Sequence, residues 1–272
     1  MKTAVLKFGG AAVATPAHFK RIAEIILERK SEFSRLVVVV SAMGKTTDEL
    51  IQLAQLVHPN PPQREYDLLV SAGERISMAL LAMALCRSGE IQAKSFTGSQ
   101  SGIITCTNHT NARIIDVRPH RLLQTLDEGQ IAIVAGFQGM SLDREVTTLG
   151  RGGSDTSAVA LGAALGAEHV EFFKDVEGVF DKDPKKYPGL TPYSHLGYTQ
   201  ALEIILREEG RILHPRAVEL AAANGIALWV RPFQREAKLD PTSEENKKVV
   251  HKGTWIYDAA RTSTKSPTYE GR

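Results

Sequence analysis

Residues 3–40 read TAVLKFGGAAVATPAHFKRIAEIILERKSEFSRLVVVV. Apolar, β-rich runs at Thr3–Phe8 and Leu36–Val40 flank a segment whose residues Phe19, Ile22, Ala23 and Ile26 recur at helical spacing. This is the pattern of a βαβ unit and a parallel sheet. Thr15 stands as N-cap with Pro16 in the first turn, a readable helix start. The four valines at 37–40 predict a strand buried on both faces.

The alternation continues outward. Thr46 and Glu49 have capping-box spacing before a helix reaching Val57, and a long apolar helix is expected over 65–87. Further strands fit 91–96, 112–117, 131–134, 170–173, 227–230 and 254–257. Helices fit 119–128, 154–165, 199–208 and 214–224, the last ending at Gly225, a helix stop. The expected fold class is α/β, a three-layer αβα sandwich with a mainly parallel central sheet. Residues 1–257 form one domain, residues 234–250 read as a polar insertion, and 258–272 hold too few apolar residues to fold.

Composition narrows the function. Thirty-three basic against thirty-one acidic residues give no electrostatic footprint for nucleic acid or an anionic membrane. The N-terminal apolar run is too short for a leader or a span, so the expectation is cytoplasmic. Cys86 and Cys106 lack any ligand spacing and read as core thiols, and the eight histidines form no HxH or HxxxH pair, so no metal site is expected from side chains.

Four segments can carry chemistry. Lys7-Phe8-Gly9-Gly10 closes the first strand; paired glycines let backbone N–H groups approach a phosphate beside a mobile cation, although a plain strand-end turn fits the same residues. Gly150-Arg151-Gly152-Gly153-Ser154-Asp155 enters an apolar helix. Such loops bind anions, Arg151 can fork a carboxylate, and Asp155 can orient a lysine or Mg²⁺; Ser154 as an ordinary N-cap is the plainer reading. Glu74 in Ser71-Ala72-Gly73-Glu74-Arg75 can receive an ammonium, or can simply be a solvated helix charge. Lys174 to Lys185 is a strand end followed by an acidic loop, where open α/β sheets bind ligands. Two lookalikes fail: Gly44-Lys45-Thr46 lacks the earlier glycine of a P-loop, Val39 standing there, and Asp155 occupies the third glycine of a dinucleotide fingerprint.

In order along the chain, KFGG (7–10), VVVVSAMGKTTDEL (37–50), SAGERIS (71–77), FTGSQSGI (96–103), VAGFQG (134–139), VTTLGRGGSDTSAVAL (146–161) and KDVEGVFDKDP (174–184) together resemble the aspartate kinase family, a branch of the amino-acid-kinase superfamily, as far as about Val230. The resemblance implies transfer of the ATP γ-phosphoryl group to the β-carboxylate of L-aspartate, with Mg²⁺, as the first step towards lysine, threonine and methionine. It implies a nucleotide cradle from Lys7, Phe8, Gly9, Gly10 and Ser41, with Lys7 and Asp155 catalytic. By the same resemblance aspartate would be held by Thr47, Glu74, Arg151, Gly152, Gly153 and Ser154. ATP contacts fall to Lys174, Asp175, Phe180, Asp181, Lys182, Asp183, Pro184, Lys185 and Arg211. A homodimer is implied by the same analogy.

Departures from the family pattern are Ala11 and Ala12 after KFGG, Lys174, Phe180, Lys185 and Arg211; they imply altered ATP affinity rather than loss of activity. Family members commonly continue into ACT regulatory domains, and the expectation here is a catalytic domain alone. The expectation is insensitivity to lysine and threonine, or regulation by a separate subunit. The alternatives are a related kinase acting on glutamate or a nucleoside monophosphate, and a weakly active paralogue with a binding role.

Overall fold

The computed structural model describes residues 1–87, 89, 91–184, 186–207, 212–233, 253–258 and 269–270. The expected insertion at 234–250, most of the tail, Lys185 and Arg211 lie outside the described residues. In chain order the elements are β1 (Thr3–Phe8), α1 (Pro16–Lys30), β2 (Arg35–Val40), α2 (Thr46–Val57), α3 (Gln63–Val70), α4 (Ala72–Cys86), β3 (Ala93–Phe96), β4 (Ile103–Thr105), β5 (Ile114–Val117), α5 (His120–Asp127), β6 (Ile131–Ala135), β7 (Gln138–Ser141), β8 (Val146–Thr148), α6 (Gly153–Ala164), β9 (His169–Lys174), β10 (His195–Leu196), α7 (Tyr198–Arg207), α8 (Pro215–Asn224), β11 (Ala227–Pro232) and β12 (Thr254–Ile256).

The main sheet runs β10-β12-β11-β9-β1-β2-β6-β3. Its six strands from β11 to β3 are mutually parallel, and β12 pairs antiparallel with β11, beside the edge strand β10. This is the α/β fold class expected from sequence. Strand alternation sorts the two cores. Val5, Val37, Val39, Val170 and Phe172 face α5, α6, α7 and α8, while Leu6, Phe8, Val38, Val40 and Phe173 face α1 and α4. Each fully buried side chain of this size stabilises the fold by about 1.5–3 kcal/mol.

On the α1 side the sheet carries a buried carboxylate, Glu171. It accepts from Arg29 Nε at 2.8 Å and Arg231 Nη1 at 2.6 Å, with His169 Nε2 at 3.0 Å. Burial pushes its pKa up, but His169, Arg231 and Arg29 outweigh that and hold it below the ordinary range. The network pins β9 three residues before Lys174.

Several sequence expectations are corrected. The helix expected over 65–87 is two, broken at Ser71, whose hydroxyl donates back to the Leu68 carbonyl at 3.0 Å. Helix α2 starts at Thr46 with Lys45 as N-cap and no side-chain cap, so Thr46 and Glu49 form no capping box. Likewise α6 starts at Gly153 with Gly152 as N-cap, so Ser154 is not one. Cys86 is exposed, and Cys106 is only partly buried, packed against the margin of the α6-side core. The expected unpacked tail holds at least two packed residues: Tyr269 is buried, and Glu270 accepts from Arg216 Nε at 2.6 Å and the Ile114 N–H at 2.9 Å. A second sheet, β5-β4-β7-β8, was not anticipated as a unit.

Gln63–Cys86 is long and apolar enough to cross a bilayer by length and composition alone. Its residues Gly73, Ser77, Met78, Leu81 and Leu85 are buried, and Met78, Leu81 and Leu85 belong to the α1-side core, the packing of a core helix.

Candidate active site

Parallel strands end on one edge of a sheet, and ligands bind in the crevice beyond those carboxyl ends. Here β1 ends in Lys7-Phe8 and turns through Gly9 and Gly10, tight against the segment after β2. A Cβ on Gly10 would lie 3.1 Å from the Ala42 carbonyl oxygen and 3.3 Å from that of Gly44. A larger residue would fill the cradle. The edge opens into a cavity of about 980 Å³.

Period-2 alternation decides what Lys7 faces. It shares the Val5 face, towards α6, whose first turn carries Asp155. Lys174, at the end of β9, shares the Phe172 face and reaches the same carboxylate from the other side. Lys7 Nζ lies 2.5 Å from Asp155 Oδ1 and Lys174 Nζ 3.3 Å from Oδ2. Burial alone would raise the Asp155 pKa; Lys174 and Lys7 overcome it and bring the group to about 2. Lys174 falls to about 8, chiefly through burial and further through Lys7, with Asp155 partly opposing. Asp155 is therefore a fixed anion between two cations, unsuited to accept a proton near neutrality.

The opposite wall comes from the α3–α4 region and the α6 entry. Glu74, 3% exposed, accepts the Ala42 N–H on Oε1 at 3.0 Å. Its Oε2 is buried and has no partner among the described residues. Burial pushes its pKa up to about 7, against the lowering effects of the Ala42 N–H and of Lys7. A buried carboxylate oxygen left open is costly unless a ligand donor meets it. Arg151, exposed, and Ser154, buried, line the same cavity. Between them Gly152 is left-handed, φ 71°, with the His214 ring packed where a Cβ would stand.

Of the residues singled out from sequence, Lys7, Gly9, Gly10, Ser41, Thr47, Glu74, Arg151, Gly152, Gly153, Ser154, Asp155, Lys174, Asp175, Asp183 and Pro184 line this one cavity. Phe8 does not: alternation turns its ring to the α1 side, where it stacks on Phe173 at 4.7 Å. Phe180 is buried away from it, and Asp181 and Lys182 are exposed outside it. The sequence reading missed Asp48, Ile51, Tyr66, Thr110 and Phe137, which also line it. Only positive φ at Thr110 and Phe137 (65° and 69°) marks two of them, and no local motif announces that. Among the described residues no group of three or more His, Cys, Asp or Glu side chains forms a metal cage.

The chain is similar to known proteins along most of its length. It is 50% identical over 232 residues to an aspartokinase of Mycolicibacterium smegmatis, a match covering 85% of this chain and 55% of that protein. The chain thus spans about half the length of the curated relatives it matches. The crystal structure of an aspartate kinase from Synechocystis superposes with TM-score 0.80 at 37% identity, covering 98% of this chain and 41% of that one. The E. coli aspartokinase III solved with aspartate and ADP superposes with TM-score 0.79, covering 96% and 66%; at 24% identity it shows the shared fold. Residues 2–232 match the family model described as the amino acid kinase family, and the chain belongs to that family.

Proposed function

We propose that the chain carries the phosphotransfer site of an aspartate kinase, moving the γ-phosphoryl group of ATP to the β-carboxylate of L-aspartate to give 4-phospho-L-aspartate, the first step towards lysine, threonine and methionine. The observation that carries this reading is a buried Glu74 oxygen with no partner among the described residues, in the same cavity as the Lys7–Asp155–Lys174 cluster. An acceptor whose nucleophile is a carboxylate is already ionised at neutral pH and needs no general base. Asp155, held at about 2, supplies none. A hydroxyl acceptor would need one; a phosphate acceptor would not, but it would meet the Glu74 carboxylate without offering a cation.

Each residue then has a task. Glu74 Oε2 receives the substrate ammonium, Arg151 forks the α-carboxylate, and Thr47 and Ser154 orient the acceptor. Lys7 and Lys174 neutralise charge where two anions must approach, and such neutralisation supplies most of the catalysis in phosphoryl transfer. Asp155 fixes both amines in place. Gly9 and Gly10 leave the backbone bare for phosphate oxygens, and Ser41, Asp175, Asp183 and Pro184 border the nucleotide. Bound Mg²⁺ would shield the phosphate charge. The deciding experiment follows ADP release from ATP with aspartate, glutamate and UMP as rival acceptors, identifying acyl phosphate from either amino acid as its hydroxamate and UDP from UMP by chromatography. Product with aspartate alone supports the reading, and product with either rival in preference refutes it.

A pH profile follows from the two shifted groups. Glu74 must be ionised to hold an ammonium, and its pKa is about 7. Lys174 must be protonated, and its pKa is about 8. In the free enzyme, kcat/KM for aspartate is expected to rise roughly tenfold per pH unit below about 7 and to fall above about 8. Glu74→Gln should remove the acid limb while leaving the alkaline one. A variant profile with its acid limb intact near pH 7 would count against Glu74 as the ammonium site.

A further inference from the structure

Asp67 is fully buried and does not line the cavity, although Tyr66 beside it and Val70 one turn later do. Its carboxylate joins three elements. Oδ1 accepts the Thr148 hydroxyl of β8 at 2.5 Å and the Thr110 N–H at 3.1 Å. Oδ2 accepts the same N–H at 3.0 Å, with His109 Nδ1 at 2.8 Å. Among the described residues no lysine or arginine pairs with it. Burying a carboxylate costs several kcal/mol unless hydrogen bonds offset it, and an apolar residue would pack α3 against β8 as well.

The group held by both oxygens is unusual. Thr110 has φ 65°, a left-handed conformation that costs a non-glycine residue about 1–2 kcal/mol and persists only where the surroundings impose it. Thr110 is also a wall residue of the cavity. Its carbonyl oxygen and Asn111 Oδ1 would lie 3.3 Å and 3.0 Å from a Cβ on Gly150, the residue before Arg151. The 109–112 turn is closed further by the Ala112 N–H donating to the Thr148 carbonyl at 2.9 Å. Thr148 thus grips the turn with its backbone and Asp67 with its hydroxyl.

We propose that Asp67 is a positioning residue for the acceptor end of the site: through Thr110 it sets the wall against which the Gly150–Arg151 loop is placed. It touches no substrate itself. The inference rests on the reading that this cavity binds aspartate through Arg151, and its test separates the two.

Two variants of Thr148 distinguish a positioning bond from packing. Thr148→Val keeps the volume and deletes the donor to Asp67; Thr148→Ser keeps the donor and deletes a methyl group. Thr148→Val and Asp67→Asn are expected to raise KM for aspartate about tenfold, with kcat and KM for ATP within about twofold of the parent, the loss of roughly one hydrogen bond to a charged group. Thr148→Ser should stay near the parent. Amide hydrogen exchange at Thr110, measured on the substrate-free protein, should speed up about tenfold in the first two variants and not in the third. If Thr148→Ser is impaired as much as Thr148→Val, or if both KM values move together, Asp67 is a packing element and the proposal is overturned. If the parent chain neither binds nor phosphorylates aspartate, the functional reading fails. Exchange at Thr110 then decides this inference alone, and an unchanged rate in both Thr148→Val and Asp67→Asn overturns it.

Discussion

Replacing Lys7 by methionine is expected to lower kcat about 10³-fold, the scale seen when a preorganised electrostatic partner of a transition state is removed. Methionine preserves much of the unbranched stem and deletes the charge. Two effects combine. The transferring phosphoryl group loses a cation, and Asp155 keeps only Lys174, at 3.3 Å, in place of two amines. With Lys7 gone the Asp155 pKa rises from about 2. Uptake of a proton there would release Lys174 as well. Because Lys7 is 4% exposed, the melting temperature should be followed alongside the kinetics. Lys7→Arg is expected to restore little, since a forked planar guanidinium does not replace a compact ammonium at this site. A Lys7→Met enzyme retaining kcat within tenfold of the parent would remove Lys7 from the catalytic step.

The second large effect is expected at Gly152. Alanine there must adopt φ 71° and drive its Cβ into the His214 ring. Left-handed strain costs about 1–2 kcal/mol, and forcing an extra methyl into a packed contact adds roughly 1–3 kcal/mol. The loop cannot carry both without moving Arg151 and Ser154, its neighbours in the cavity. Gly152→Ala should therefore raise KM for aspartate by about 10²-fold, a shift of roughly 2.7 kcal/mol, or fail to fold stably. Gly152→Ala combined with His214→Gly removes both the ring and the His214 Cβ, which would lie 2.5 Å from the new methyl, and leaves the backbone strain. Partial recovery in the double variant marks the side-chain contact as a cause, whereas no recovery assigns the loss to φ alone.

The parallel sheet was legible because its strands are long, valine-rich and separated by helices with clear periodicity; Leu36–Val40 and the Phe19 to Ile26 stripe leave few other arrangements. The second sheet was not. Its strands β4, β7 and β8 have three or four residues, and Ile104 pairs with Met140 across a separation that periodicity does not sense. The split between α3 and α4 falls at a single residue, Ser71, inside the run that reads as one apolar helix, where neither Gly nor Pro stands to mark a helix stop.

At the site, glycine pairs announced the KFGG and GRGGSD loops because close backbone approach requires them. Lys7 and Asp155 were legible as neighbours of those glycines. The open Glu74 oxygen was not legible as such, since burial on all other sides is a tertiary property. Phe8 went astray for a simple reason: motif adjacency to Lys7 says nothing of strand alternation, which sends consecutive side chains to opposite faces. Asp67 carries no motif at all, and its partners lie 42 and 81 positions away.

The most direct test is a crystal structure of the chain with aspartate and a nonhydrolysable ATP analogue. The account predicts the aspartate ammonium on Glu74 Oε2, its α-carboxylate on Arg151, and the analogue's phosphates beside Lys7 and Lys174. Aspartate bound away from Glu74, or phosphates remote from the Lys7–Asp155 pair, would contradict it.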